Sequence, residues 1–254
     1  MTGEGDRAPF PLHREAVRVA LENGDPPGGL LPPTLFRLLL DAAGRDATAR
    51  GAGMERLREQ GLAWMLVRLV AEISRWPAVP EECVLSTWPT SFGGATAERD
   101  FTLEKVAEAT SRWAMVDLQA RRAVRLPAFI RALPVASERA SVRLPPALER
   151  PPEAPLLAET GVEVKSSDLD QLGHANSVRY LVWALAALPP AWTEEWEIGR
   201  LDLSFRREAR GGDRLRCRAY RVGEQLVVHE IGPEPPKGGG EICALVSTRW
   251  RRRG

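Results

Sequence analysis

Asp168-Leu169-Asp170-Gln171-Leu172-Gly173-His174-Ala175-Asn176-Ser177-Val178-Arg179-Tyr180 crowds acids, a glycine, a histidine and an asparagine at the start of an amphipathic run. Val178, Leu181, Val182 and Leu185 recur at helical spacing, which predicts a helix with one apolar face. Helix N-termini present unpaired backbone N–H groups and a partial positive charge. A developing oxyanion could be held there, and Gly173 lets the backbone come close to a ligand. The same residues also read as a turn plus a cap, with Asp170 in an Asx-turn, Asn176 capping and His174 packed. The chain has only three histidines, and this one sits beside two carboxylates.

Downstream, strands are expected at Leu201–Phe205, Leu215–Tyr220, Leu226–Ile231 and Ile242–Trp250. Ser204-Phe205-Arg206-Arg207-Glu208 ends the first of these, which puts Glu208 at a strand end, able to face the helix mouth. A solvated glutamate among arginines is the ordinary alternative.

Upstream, the same plan occurs once more. Leu35, Leu38, Leu39, Ala42 and Ala43 form one helical face after Pro32-Pro33. Strand-like stretches follow at Trp64–Ile73, Val84–Trp88, Thr96–Leu103 and Ala109–Val116. Both halves close on a like phrase, Ser111-Arg112-Trp113 and Thr248-Arg249-Trp250, about 75 residues after each helix start. Between them, prolines 134, 145, 146, 151, 152 and 155 oppose both helix and central strand. The expected division is 10–132, a Pro-rich linker at 133–158, and 159–254. One long helix followed by antiparallel strands, done twice, is an α+β architecture in which each sheet wraps its helix. Side by side, the halves would bury the sheet edges they share.

The 254 residues are 44% hydrophobic and 27% charged, with a net charge of +1. No global field therefore points to nucleic acid. Basic clusters at Arg121, Arg122, Arg125 and Arg131, and at Arg249 and Arg251–Arg253, read as solvated faces or as docking patches for an acidic partner. Cys83, Cys217 and Cys243 are odd in number and far apart, which fits a reducing cytosol and neither a disulfide framework nor a metal site. The polar N-terminus and the lack of any apolar run of about 20 residues predict a soluble, cytoplasmic, unexported protein with no membrane contact.

The pattern Asp-x-x-Gly-His-x-Asn-x-x-x-Tyr from Asp170 to Tyr180, followed by Trp183, resembles the signature of hotdog-fold thioesterases. Arg206-Arg207-Glu208 resembles the acyl-acyl-carrier-protein thioesterase branch. Gly61-Leu62-Ala63-Trp64 with Arg68, Thr87-Trp88-Pro89, Arg99-Asp100-Phe101, Ser111-Arg112-Trp113 and Asp117 with Arg121-Arg122 follow that family's order. Two positions depart from the plant-type motif. Leu172 stands where it has asparagine, and Ala209 stands where it has cysteine after the glutamate. The second departure excludes a cysteine nucleophile at that position, and Cys217 and Cys243 are expected to be packed strand residues.

The resemblance implies a tandem hotdog that hydrolyses fatty acyl-acyl carrier protein to free fatty acid. It implies Asp170, His174 and Glu208 as catalytic residues, with Glu208 the base for water and Asp170 its partner or the alternative base. The amides from Gly173 to Asn176 would polarise the carbonyl. Arg179, and Trp64 in a first half that lacks the acid/base set, would contact substrate or carrier. Trp64, Trp88 and Trp113 would line an acyl tunnel, and Pro77 falls roughly where Glu208 would be expected. No metal or organic cofactor is implied; the partner is an acyl-loaded acyl carrier protein, and a homodimer is compatible. Rivals are the same chemistry on acyl-CoA, a catalytically silent acyl-binding hotdog motivated by Leu172, and a hotdog dehydratase.

Overall fold

The structure, a computed structural model, describes residues 12–25, 28–149, 153–234 and 242–253. In the first half, strand β1 (His13–Val19) is followed by a 3-10 turn at Leu21–Asn23 and then by α1 (Pro32–Ala49) and α2 (Met54–Glu59). Strands β2 (Leu62–Ile73), β3 (Glu81–Gly93), β4 (Thr96–Leu103) and β5 (Ala107–Asp117) follow, then the two-residue β6 (Arg122–Ala123) and α3 (Ala128–Arg131). The second half repeats this with β7 (Leu156–Glu163), α4 (Ser177–Ala186), α5 (Pro190–Glu195), β8 (Trp196–Phe205), β9 (Arg214–Val222), β10 (Leu226–Pro233) and β11 (Ala244–Arg252).

Each half thus begins with a strand that the sequence reading did not anticipate, and its plan is strand, helix, four strands. β1 and β7 are outermost in the sheet, and their charged residues suit an edge. β7 also begins inside the stretch expected to be linker.

The strand order is β1-β3-β4-β5-β2-β8-β11-β10-β9-β7, which is palindromic in the two halves. The halves meet where β2 pairs β8 antiparallel, with Val70 opposite Asp202 at the centre, Arg68 opposite Ser204 and Glu72 opposite Arg200. β2 skips a residue against β5 between Leu66 and Arg68, opposite Trp113 and Arg112. β8 does the same against β11 beside Trp250 and Arg249. The equivalent tryptophans make equivalent bonds: Trp113 Nε1 donates to Ser111 Oγ and Trp250 Nε1 to Thr248 Oγ1, both at 2.8 Å.

α1 buries Leu35, Phe36, Leu39, Ala42 and Ala43 against the first half-sheet. Phe36 joins the deep face, and Leu38 is only partly covered. Each large apolar side chain removed from water contributes about 1.5–3 kcal/mol. In α4 the deepest residues are Tyr180, Leu181, Trp183 and Ala184, while Val178 and Leu185 pack at the margin. One hydrophobic cluster draws on both halves, and a smaller one forms around Leu57, Met115, Leu126 and Ile130.

The proline-rich segment runs across the sheet face turned away from α1 and α4. Ala136 N donates to Pro89 O, Trp88 Nε1 to Glu138 O, and Ala140 N to the Asp100 carboxylate. Burial pushes the Asp100 carboxyl above its usual range. Arg68 makes a bidentate pair with Asp202 at 2.8 and 2.7 Å, and its Nη1 donates to Pro145 O and Pro146 O. Without hydrogen-bonding side chains of their own, the prolines still supply carbonyls, which here satisfy a buried guanidinium.

Candidate active site

The loop before α4 is shaped by its own polar groups. Asp170 Oδ1 accepts from Leu172 N at 2.8 Å and His174 N at 3.2 Å, and Asp170 N donates to His174 O at 2.7 Å. Gly173 sits in this closed turn at φ 76°, a left-handed conformation that only glycine adopts without strain. Asn176 caps α4, its Oδ1 accepting from Val178 N at 2.9 Å. The turn-and-cap reading therefore describes Asp170 and Asn176, and the exposed Asp170 carboxylate is engaged with loop backbone.

His174 does more than pack. Its Nε2 lies 3.1 Å from Glu208 Oε2, and each side chain is 20% exposed. Two features hold the pair in register. Ala175 N donates to Ala209 O at 2.8 Å, and the His174 and Arg210 backbones form an isolated bridge. Tyr180, buried beneath α4, accepts from Ala209 N at 3.1 Å, and it packs edge-on to Trp183 and Phe205. Burial raises the Tyr180 phenol well above its ordinary pKa, so it stays protonated. The spacing from Asp170 to Tyr180 thus serves one purpose: the helix that starts at the loop also fixes the strand end carrying Glu208.

Glu208 has a second partner that the sequence reading missed. Arg121, from the turn between β5 and β6 of the first half, donates from Nη2 to Glu208 Oε2 at 2.5 Å. In the sequence it stood only in a basic cluster and in the resembling pair Arg121-Arg122, neither of which linked it to Glu208.

Three other expectations change. The amides of Gly173, His174, Ala175 and Asn176 all donate within the protein, to Asp170 O, Asp170 Oδ1, Ala209 O and Asp168 O. Among the described residues, Ser177 N–H is the unengaged amide that opens α4. Arg179 is committed to structure, its Nε 2.7 Å from Oδ1 of buried Asp168. Trp76, rather than Pro77, stands at the first-half equivalent of Glu208, counting on from matched Arg68 and Arg200. Its Nε1 donates to Ile198 O across the junction at 2.9 Å.

The first half holds an apolar cavity of about 250 Å³. Ala43, Gly44 and Ala47 of α1 form one wall, and Trp64, Phe92 and Trp113 form the sheet side. Trp64 is fixed by donating from Nε1 to Ala52 O at 3.1 Å. Trp88 lies on the opposite sheet face under the proline-rich segment and does not line the cavity. None of Asp170, His174 or Glu208 lines it either. Met54 lines the cavity and also borders an open hollow between α2 and Gln171 of the loop before α4.

Cys83, Cys217 and Cys243 are buried, and burial pushes the Cys217 thiol up to about 12, far from a reactive thiolate. Ala209 is fully buried.

Residues 12–133 match the Acyl-ACP thioesterase N-terminal domain, and residues 156–252 match the Acyl-ACP thioesterase C-terminal domain. Among curated proteins the chain is similar to oleoyl-acyl carrier protein thioesterase 2, chloroplastic, of Arabidopsis thaliana. The two are 28% identical over 176 residues, 62% of this chain and 47% of that protein. It is 26% identical over 196 residues to the palmitoyl-acyl carrier protein thioesterase, chloroplastic, of Cuphea hookeriana, covering 72% of this chain and 43% of that one. The chain spans about half the length of the curated relatives it matches. Among solved structures, an acyl-ACP thioesterase from Bacteroides thetaiotaomicron superposes with a TM-score of 0.83 at 23% identity, over 94% of this chain and 98% of that one. The 12:0-ACP thioesterase from Umbellularia californica gives 0.82 at 19%, over 95% and 98%. These likenesses bear out the tandem hotdog fold, and with both domain matches in order this chain belongs to the acyl-ACP thioesterase family.

Proposed function

We propose that this protein hydrolyses the thioester of fatty acyl-acyl carrier protein, releasing a free fatty acid and the carrier thiol in the cytoplasm as part of fatty acid metabolism. The observation that carries this reading is the His174–Glu208 pair beside the first turn of α4. Both known contacts of the Glu208 carboxylate fall on Oε2, and among the described residues Oε1 accepts no hydrogen bond. Oε1 is therefore the site for a water. Glu208 takes a proton from that water as it attacks the thioester carbon. The oxyanion develops near the α4 N-terminus, where the Ser177 N–H and the helix dipole favour negative charge. The tetrahedral intermediate expels the thiolate, which takes up the proton. His174 orients the carboxylate, and Asp170 keeps the loop closed so that His174 stays in place. A thioester needs less activation than an amide, so no metal or covalent enzyme intermediate enters the scheme.

The halves then divide the work. The second half, 159–254, supplies the acid/base pair, and the first, 10–132, receives the acyl chain in its apolar cavity, entered past Met54. The curated relatives named for oleoyl- and palmitoyl-acyl carrier protein support a long-chain carrier substrate. The exposed Arg206, Arg207 and Arg210 flank Glu208 and suit an acidic carrier.

The test is hydrolysis by purified protein of acyl-carrier and acyl-CoA substrates, for the natural chain and Glu208→Gln. Turnover should favour the carrier substrate and fall at least about 10²-fold in the variant. Equal rates for both proteins would reject Glu208 as base. Tight acyl binding without turnover by the natural chain would make it a silent binding module, with Leu172 as the reason.

A further inference from the structure

We infer that Arg121 is a positioning residue for the reaction, supplied by the half that carries none of the acid/base pair, and that it fixes the Glu208 carboxylate so that Oε1 faces the water. The inference rests on the role proposed for Glu208.

Geometry supports it first. Arg121 Nη2 and His174 Nε2 approach the same oxygen, Oε2, at 2.5 and 3.1 Å. Arg121 donates a hydrogen bond to that oxygen and the His174 ring lies against it, so the two together restrict rotation of the carboxylate. A general base must hold its acceptor within hydrogen-bond reach of the proton it takes, and small misplacements are costly.

The backbone supplies an independent argument. Arg121 has φ 52°, in the left-handed region that disfavours residues with a Cβ. Its turn is tightly built. Asp117 Oδ1 accepts from Gln119 N and Ala120 N at 2.9 and 2.7 Å, and Arg121 N donates to Asp117 O at 2.8 Å. Leu118 N donates to Gly61 O, and Arg122 returns into pairing opposite Asp117. A turn residue of this kind is ordinarily glycine or asparagine. A long cation held here at the expense of backbone strain points to a use for its side chain, and its guanidinium spans the halves to reach Glu208.

The test compares Arg121→Gly, Arg121→Lys and Glu208→Gln with the natural chain on a neutral thioester, octanoyl-N-acetylcysteamine, which needs no carrier docking. Glycine suits the left-handed turn, so Arg121→Gly should melt no lower than the natural protein. Its kcat should nonetheless fall between about tenfold and a hundredfold with KM little changed. Arg121→Lys should retain an intermediate rate, and millimolar guanidinium should recover part of the rate of the glycine variant. Unchanged or raised kcat in Arg121→Gly, with Glu208→Gln inactive, overturns the positioning role and leaves the proposed chemistry standing. A raised kcat would mark Arg121 as a restraint on the base instead. A fully active Glu208→Gln overturns both, since there is then no base to position.

Discussion

Gly44 offers a direct handle on the length of acyl chain accepted. It lines the cavity between Ala43 and Ala47 on α1, and a Cβ built on it meets nothing within 4 Å. The first side-chain atom of a leucine there meets no obstruction, and the rest of the side chain is expected to extend into the cavity. Its side chain takes the room of about four acyl methylenes, each worth about 0.8 kcal/mol when buried. A chain that filled the cavity must withdraw those methylenes and lose about 3 kcal/mol, roughly two-hundredfold in kcat/KM. Chains that end before Gly44 lose nothing. Replacing glycine inside a helix also adds up to about 1 kcal/mol of stability, so the variant should fold. The assay is kcat/KM for Gly44→Leu across carrier substrates of graded length, with the optimum expected to move about four carbons shorter. A uniform change at every length, or none in a folded variant, would show that the acyl chain does not enter this cavity.

Two further predictions concern stability. Asp202→Ala leaves the buried Arg68 without its bidentate partner and should cost about 3–5 kcal/mol in urea unfolding, whereas the double change Arg68→Met with Asp202→Leu should recover most of it. His229 is buried, and desolvation holds its pKa down at about 3, so between the unfolded value near 6.5 and pH 3 the unfolded chain binds more protons. Stability should therefore drop as pH falls below 6.5, by about 2 kcal/mol at pH 5. His229→Phe, which copies Phe101 at the matching position of β4, should flatten that slope in thermal melts at graded pH; an unaltered slope would assign it to other groups.

Most strands that lie inside the sheet were legible because their apolar content exceeds their charge, and β4, with three residues of each kind, because Ala97, Phe101 and Leu103 share one face. β4 begins and ends where its alternation does, at Thr96 and Leu103. β1 and β7 were not, since an edge strand hydrogen-bonded on one side tolerates His13, Arg14 and Glu15, or Glu159 and Glu163, and these mask its period of two. Much of the candidate site was visible from the resemblance, because His174 and Glu208, which the structure brings together, lie inside quoted motifs. The partition of roles within it was not. Asp170 as loop closure and Arg179 as the partner of Asp168 depend on where each side chain turns, which residue spacing does not encode. Arg121 is separated from Glu208 by 87 residues, and the packing of the two halves along β2 and β8 brings their turns together.

That junction bears on how such a molecule can change over generations. In a pair of identical subunits, every substitution appears twice, so a residue that improves one site alters its mirror site as well. Joining the halves in one chain, while β2 and β8 keep them paired, lifts that constraint. Trp76 and Glu208 occupy matching places, yet one clamps the junction through Ile198 and the other faces His174. The α1 wall of Ala43, Gly44 and Ala47 can likewise drift toward a wider or narrower cavity without disturbing the loop from Asp170 to Asn176. On the proposed division of work, substrate range and bond-breaking are thereby exposed to selection separately.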